Sequence, residues 1–273
     1  MGLTQKERGA YYSSKKAILM VIHPLFLEEL QNKLNEKRAF PTLLEFIHDE
    51  IANIKILDPA CGDGAFLIHS YLALKELEDH IRCITLGPKR LSPKQFYGIE
   101  LDPHAIQSCI EQFKTIDDSD TPNLLEANAL RVNWEDFLNP SECSYIIGNP
   151  PFRGFHYQTK EQKEDMRLVF KGIKATGILD YCSAWFLKAA QYMQANPKIE
   201  TAFISTNSIY QGTQVATLWQ PMIEQYKVSI NFAHRNFVWK GEGKNDAKVI
   251  CSISSFSLTE RKNKRIWDYT DAA

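Results

Sequence analysis

Ile54-Lys55-Ile56-Leu57-Asp58-Pro59-Ala60-Cys61-Gly62-Asp63-Gly64 is the stretch on which the fold turns. A short apolar run closes in a turn with two glycines. A helix over 65–83 then opens, with Phe66, Leu67, Leu74, Leu77 and Ile81 on one face. A strand, a glycine turn and a helix in that order begin a βα unit, whose strands associate in parallel.

The pattern continues on both sides. Residues 95–100, 123–127, 145–148 and 201–206 read as strands, and helices are expected from Pro103 and over 181–194 and 215–226. Two further β runs, 228–234 and 248–257, flank Lys240-Gly241-Glu242-Gly243-Lys244-Asn245, which reads as a hairpin loop. Upstream, Ile18, Leu19, Ile22, Leu25 and Phe26, then Leu43, Leu44, Ile47 and Ile51, fall at helical spacing, punctuated by Pro24 and Pro41. The expected fold is α/β: a Rossmann-like, doubly wound, mostly parallel seven-stranded sheet with an antiparallel edge hairpin and an N-terminal helical segment. The expected division is a helical segment at 1–53 and a catalytic domain at 54–273.

Composition narrows the class. With 273 residues, 44% of them hydrophobic, the chain can bury one large core. No run approaches the ~18 apolar residues of a membrane span, and no apolar block follows Lys6, Glu7 and Arg8, so a cytoplasmic protein is expected. The six cysteines are scattered, which predicts reduced thiols and no metal. A net charge of −1 does not describe a self-sufficient nucleic-acid binder. Charge is uneven, however. Six basic residues (153, 160, 163, 167, 171 and 174) stand against three acids over 153–174, and Arg261, Lys262, Lys264 and Arg265 cluster later. On composition alone both are solvated surfaces. The first draws attention by following the 145–148 run.

In open α/β sheets ligands sit beyond the carboxyl ends of the strands. The turn 58–64 occupies such a place, and Gly62 and Gly64 admit a ligand close to the backbone. The helix opening near Ala65 offers unpaired N–H groups to a carboxylate, and Asp58 or Asp63 can take an ammonium. Cys61 reads as a small packed residue. Glu100 ends the next strand, where it can accept from both hydroxyls of a ribose. It lies 38 residues beyond Gly62, farther than the roughly twenty of a dinucleotide fold. The segment 79–93 reads as an inserted loop that makes up the difference. The turn also lacks the G-x-G-x-x-G spacing, which disfavours a nicotinamide cofactor.

At the end of the 145–148 run stands Asn149-Pro150-Pro151-Phe152. The Asn149 side-chain carbonyl and the Pro150 backbone carbonyl can hold the two N–H bonds of an exocyclic amine. The prolines stiffen the turn and donate nothing, and Phe152 offers a face for a base. Together the two turns point to methyl transfer from S-adenosylmethionine to an amino nitrogen, adenine N6 foremost.

These motifs resemble the class I S-adenosylmethionine-dependent DNA adenine-N6 methyltransferases of the gamma arrangement. Gly9-Ala10-Tyr11-Tyr12-Ser13-Ser14 looks like their N-terminal cofactor motif, which implies Tyr12 and Ser13 near the cofactor. The resemblance implies further cofactor contacts from Asp58, Pro59, Ala60, Cys61, Gly62, Gly64 and Phe66. Glu100 with Leu101 would hold the ribose, and Asn128 with Ala129 the adenine. It places Asn149 at the methyl group, with Pro150, Pro151 and Phe152 completing the catalytic motif. Leu179-Asp180-Tyr181, residues 203–208 and Phe232-Ala233-His234-Arg235-Asn236-Phe237-Val238-Trp239 are similar to the MmeI-like type IIL restriction–modification enzymes. There Phe237 or Trp239 would form the second aromatic wall around a base flipped from double-stranded DNA. Such enzymes also carry recognition and nuclease domains, so the resemblance implies the catalytic module alone, with a separate recognition or nuclease chain as a partner. Two other readings stay open: methylation of RNA or of a protein glutamine, and a cofactor-binding subunit inactive without a partner.

Overall fold

A computed structural model describes residues 13–239 and 249–269. Among the described residues three helices precede the sheet: α1 (Lys15–Ile22), α2 (Glu28–Lys37) and α3 (Pro41–Asn53). The Ser14 side chain accepts from Ala17 N and caps α1. Pro24 does not stop the chain. It sits in a π-helical turn, His23–Leu27, that joins α1 to α2, where the widened register accommodates a residue without an N–H. Pro41 opens α3, at a position where no N–H is missed.

The alternating part follows as β1 (Ile56–Asp58), α4 (Ala65–Thr85), β2 (Phe96–Glu100), α5 (Pro103–Ile116), β3 (Asn123–Glu126), β4 (Tyr145–Gly148), α6 (Lys160–Val169), α7 (Ser183–Tyr192), β5 (Glu200–Thr206), α8 (Thr213–Glu224), β6 (Ser229–Trp239), β7 (Val249–Ser257) and β8 (Arg265–Asp268). The sheet order is β3-β2-β1-β4-β5-β7-β6-β8. The strands from β3 to β5 are parallel, β7 runs antiparallel to both β5 and β6, and β8 is parallel to β6. From β1 the chain winds one way to β2 and β3, and after crossing back it winds the other way from β4 to β5. The order therefore reverses between β1 and β4.

Two expectations are corrected. Among the described residues the sheet has eight strands, because Arg265-Ile266-Trp267-Asp268 pairs with Phe232-Ala233-His234-Arg235 and so covers the outer edge of the hairpin. Only two apolar residues stand there, side by side and following a run of basic residues, which is too little to announce a strand. Nor is 79–93 an inserted loop. Helix α4 runs on to Thr85 and ends at Leu86 in a left-handed conformation, φ 56°. The short connection behind it is latched by buried Glu78, which accepts from Arg90 N (2.6 Å) and Leu91 N (2.7 Å) and lies 2.9 Å from His48 Nε2. A long helix makes the wide spacing between Gly62 and Glu100. Helix α6 was not foreseen either.

The second basic cluster is structural. Arg261 pairs with Glu200 at 2.7 Å and donates to the Pro24 and Leu25 carbonyls, and Arg265 pairs with Glu28. The C-terminal strand is thereby tied to the N-terminal helices. Among the described residues no helix is long and apolar enough to cross a membrane.

Between α7, α8 and the sheet lies an aromatic core, in which the Phe186 ring is 5.3 Å from Phe203, 5.6 Å from Phe256 and 5.9 Å from Trp219. Phe186 is fully buried. Phe186→Ala should cost ~3–5 kcal/mol, read as a lowered urea midpoint with an unchanged slope. A loss below ~1 kcal/mol would mean that the site collapses around the gap.

Candidate active site

The reversal between β1 and β4 opens a cavity of about 750 Å³ at the carboxyl ends of β1, β2 and β4, within the size range of small-molecule sites. The glycine turn forms one wall. Gly62 has φ +55° and nothing within 4 Å of where a Cβ would stand, so its backbone faces open space. Gly64 has a different task. It precedes α4 with φ +86°, and a Cβ there would overlap the Cys109 sulfur of α5. Gly64 thus lets α4 and α5 close together behind the cavity, without lining it.

Glu100, ending β2, organises the floor. Its Oε2 accepts from Gly62 N at 2.9 Å, and its Oε1 accepts from Leu101 N at 2.7 Å and Asp102 N at 2.9 Å. One carboxylate therefore holds the ends of two neighbouring loops. Of the two acids considered for an ammonium, Asp63 lines the cavity and Asp58 does not. Burial raises the Asp63 carboxyl above its usual range. Asp58 stands behind the wall, accepting from Ala60 N at 3.0 Å, and a Cβ on Gly148 would come 2.5 Å from its Oδ1. Desolvation there pushes its pKa up to about 8.

Asn149 is half-buried on the opposite wall, and its Nδ2 donates to Ser13 Oγ at 3.3 Å. Ser13 and Pro151 also line the cavity. Pro150 is buried behind it. The exposed stacking face expected of Phe152 is not there. The ring is 6% exposed, belongs to the hydrophobic core and is absent from the cavity wall, because the turn folds it inward. Phe237 is half-buried on β6 opposite Cys251, just past a bulge at which Asn236 takes φ 43°, and it does not reach the cavity. Tyr12 lies outside the described residues, and so does the side chain of Trp239.

Pro59, Ala60, Cys61, Phe66, Leu101, Asn128 and Ala129 all line the cavity. Burial holds the Cys61 thiol far above its ordinary range, consistent with a packed residue. Asn128 is already engaged: its Oδ1 accepts from Leu130 N at 2.9 Å and its Nδ2 donates to Asp165 at 3.0 Å. Asp165, 2% exposed, also accepts from Tyr181 OH at 2.7 Å and Arg131 Nε at 2.6 Å. The sequence reading assigned no role to Asp165, nor to Thr159, Gln162 and Trp185, which complete the wall. One signal was present. Thr159 and Gln162 form a capping box that starts α6. Trp185 Nε1 donates to the Pro59 carbonyl at 2.9 Å, fixing α7 to the glycine turn.

A Rossmann-like sheet whose switch point joins a glycine turn, a strand-end carboxylate and an Asn-Pro-Pro-Phe turn is the architecture of a methyltransferase. The family model of the MmeI DNA-methyltransferase domain matches residues 28–112 and 107–268, and the chain belongs to that family. DNA methyltransferase A of Bacillus subtilis (strain 168) is 36% identical over 284 residues, taking in 93% of this chain and 32% of that protein. The type IIL restriction–modification enzyme MmeI, solved in complex with DNA, superposes with a TM-score of 0.91 at 34% identity, over 97% of this chain and 39% of that one. A nuclease-deletion mutant of the type ISP enzyme LlaGI, at TM-score 0.57 and 14% identity, shares the fold. The chain thus spans about a third of its curated relative and two-fifths of its structural one.

Asp58 yields a pH test. A raised folded-state pKa means that the native chain keeps a proton which the unfolded chain, with an aspartate pKa near ~3.9, has released. This contribution is complete below pH ~4 and is lost as pH rises towards about 8, by up to ~1.4 kcal/mol per unit. Asp58→Asn keeps the acceptor for Ala60 N and removes the titration. Denaturation of both chains at pH ~5 and ~8 should show the variant gaining on the parent at the higher pH. Parallel behaviour would mean that Asp58 is ionised in the native state.

Proposed function

We propose that this chain transfers a methyl group from S-adenosylmethionine to N6 of adenine in duplex DNA, as the modification activity of a restriction–modification system. The observation that carries the reading is the meeting of Asn149 and the Gly62–Glu100 pair across one cavity. In this reading residues 54–273 are the catalytic domain, and 1–53 is the segment that brings Ser13 to the cavity.

The residues present suit the cofactor. Glu100 Oε2 receives one protein donor and keeps acceptor capacity for a ribose hydroxyl. Gly62 leaves open space beside it, and the carboxylate of Asp63 stands on the wall for an ammonium. Asn128 and Asp165 present polar groups at the far end for an adenine. When bound, S-adenosylmethionine supplies a methyl group activated on a sulfonium.

The protein's part is orientation. Asn149, through its side-chain carbonyl, and Pro150, through its backbone carbonyl, accept the two N–H bonds of the amine and turn its lone pair towards the methyl group. Ordered approach of this kind can remove ~7–11 kcal/mol of barrier. Ser13 accepts from the Asn149 amide and so helps to fix the orientation of that side chain at the cavity wall. Phe152, buried as it is, supports the turn, and to stack on a base its ring would first have to be uncovered. Extrusion of the base from a duplex costs a few kcal/mol. The net charge of −1 favours a further chain or domain that shares in holding the DNA.

Labelled cofactor with duplex DNA, RNA and protein substrates tests the reading, and N6-methyladenine in DNA is the expected product. Asn149→Ala should lower turnover ~100-fold or more and leave cofactor affinity within about threefold by calorimetry. Glu100→Ala should weaken cofactor binding by ~10–100-fold, the loss expected for hydrogen bonds to a charged group. Equal damage to binding and turnover by Asn149→Ala would contradict its role.

A further inference from the structure

Helix α6 has two faces of different chemistry. Asp165, Met166 and Val169 turn inward, and Thr159, Gln162 and Asp165 stand on the cavity wall. At 100° per residue the opposite side carries Lys160, Lys163 and Arg167, all exposed. Lys171 and Lys174 follow just beyond the helix, also exposed.

The acids of the same segment offset this side only at its start, where Glu161 and Lys160 act on one another. Glu164 and Asp165 are directed to Arg131, and Glu161 stands on the cavity rim. Among the described residues none of the five cations closes a salt bridge, the nearby acids Glu164 and Asp165 being paired with Arg131 instead. The later cluster is the opposite case, with Arg261, Lys264 and Arg265 paired to Glu200, Glu260 and Glu28. Like charges at i, i+3 and i+7 work against a helix, so a row of them left unmatched beside the cavity calls for an external anion. From Lys160 to Arg167 the helix rises ~10 Å, the axial span of about three phosphates of one DNA strand. Its N-terminus is near the catalytic turn in the chain, and the Arg153 carbonyl beside that turn accepts from Tyr181 N at 2.8 Å.

We propose that the outer face of α6, with Lys171 and Lys174 beyond it, seats the phosphate backbone of duplex DNA next to the Asn149 turn. This rests on the reading of the cavity as a DNA-methylating site. The partner is recognised by charge and spacing and not by base sequence, so this face contributes affinity and register without selecting a target.

The test is the salt dependence of binding to a fluorescein-labelled duplex of ~20 base pairs, read by anisotropy for the whole chain. The variant Lys160→Gln/Lys163→Gln/Arg167→Gln is compared with Arg38→Gln/Lys198→Gln/Lys262→Gln, three exposed cations elsewhere. Each set removes three positive charges and takes the net charge from −1 to −4. The α6 variant should lose ~2–3 from the slope of log K against log salt, and the control should keep the parent slope. Between ~50 and ~200 mM salt the parent's affinity should then fall about forty-fold more than that of the α6 variant. Cofactor affinity should be the same in all three chains.

Equal slopes for the two triple variants would overturn the proposal, as would a parent chain that fails to bind the duplex at ~50 mM salt. A slope difference on RNA but not on DNA would assign the face to RNA instead. Methyl transfer to DNA with unchanged slopes would sink this inference and leave the proposed activity standing. A slope difference without any methyl transfer by the parent chain would do the reverse.

Discussion

The site exists because β1 and β4 lie side by side and point the same way, with Gly148 pressed against Asp58. Ile56 is in register with Tyr145 and Leu57 with Ile146, so the two strands end together. Their turns then diverge: one enters α4 over the glycines, the other runs through the two prolines. A side chain at 148 would push the strand ends apart, since its Cβ would meet the Asp58 carboxylate at 2.5 Å. The close approach has a cost. It keeps a carboxyl fully buried, and that carboxyl responds by holding its proton.

Three carboxylates at and behind the cavity collect several donors each, which offsets the cost of taking a carboxylate out of water. Asp58, which accepts from Ala60 N, is the exception and keeps its proton instead. Glu100 takes three backbone N–H groups, Asp165 takes an amide, a phenol and a guanidinium, and Glu78 takes two N–H groups beside His48. The first two are part of the cavity wall, so the order of the wall and the satisfaction of the charges are the same thing. Glu78 does comparable work away from it, latching the connection between α4 and β2.

Helix α6 links the cavity to the outer surface. Its inner side contributes Asp165 to the network that orients Asn128, and its outer side carries a row of cations. Movement of the helix would be felt on both sides at once.

The strand–glycine turn–helix pattern, the parallel strands to 206 and the two diagnostic turns were all legible in the chain, because apolar periodicity and glycine or proline at a turn are local properties. Asn149 and Glu100 could be named from the ends of their strands for the same reason. By itself the sequence determined the order of the elements and which loops carry the chemistry. Only the tertiary structure decided which side chains face the cavity. Phe152 turned into the core, Asp58 went behind the wall and Asp63 onto it, Asp165 arrived from a segment read only as charge, and Arg265 became part of an eighth strand through Glu28 and β6. These outcomes depend on partners from 16 to 237 residues away, and the direction a side chain takes at a turn is set by what packs against it, which no local pattern contains.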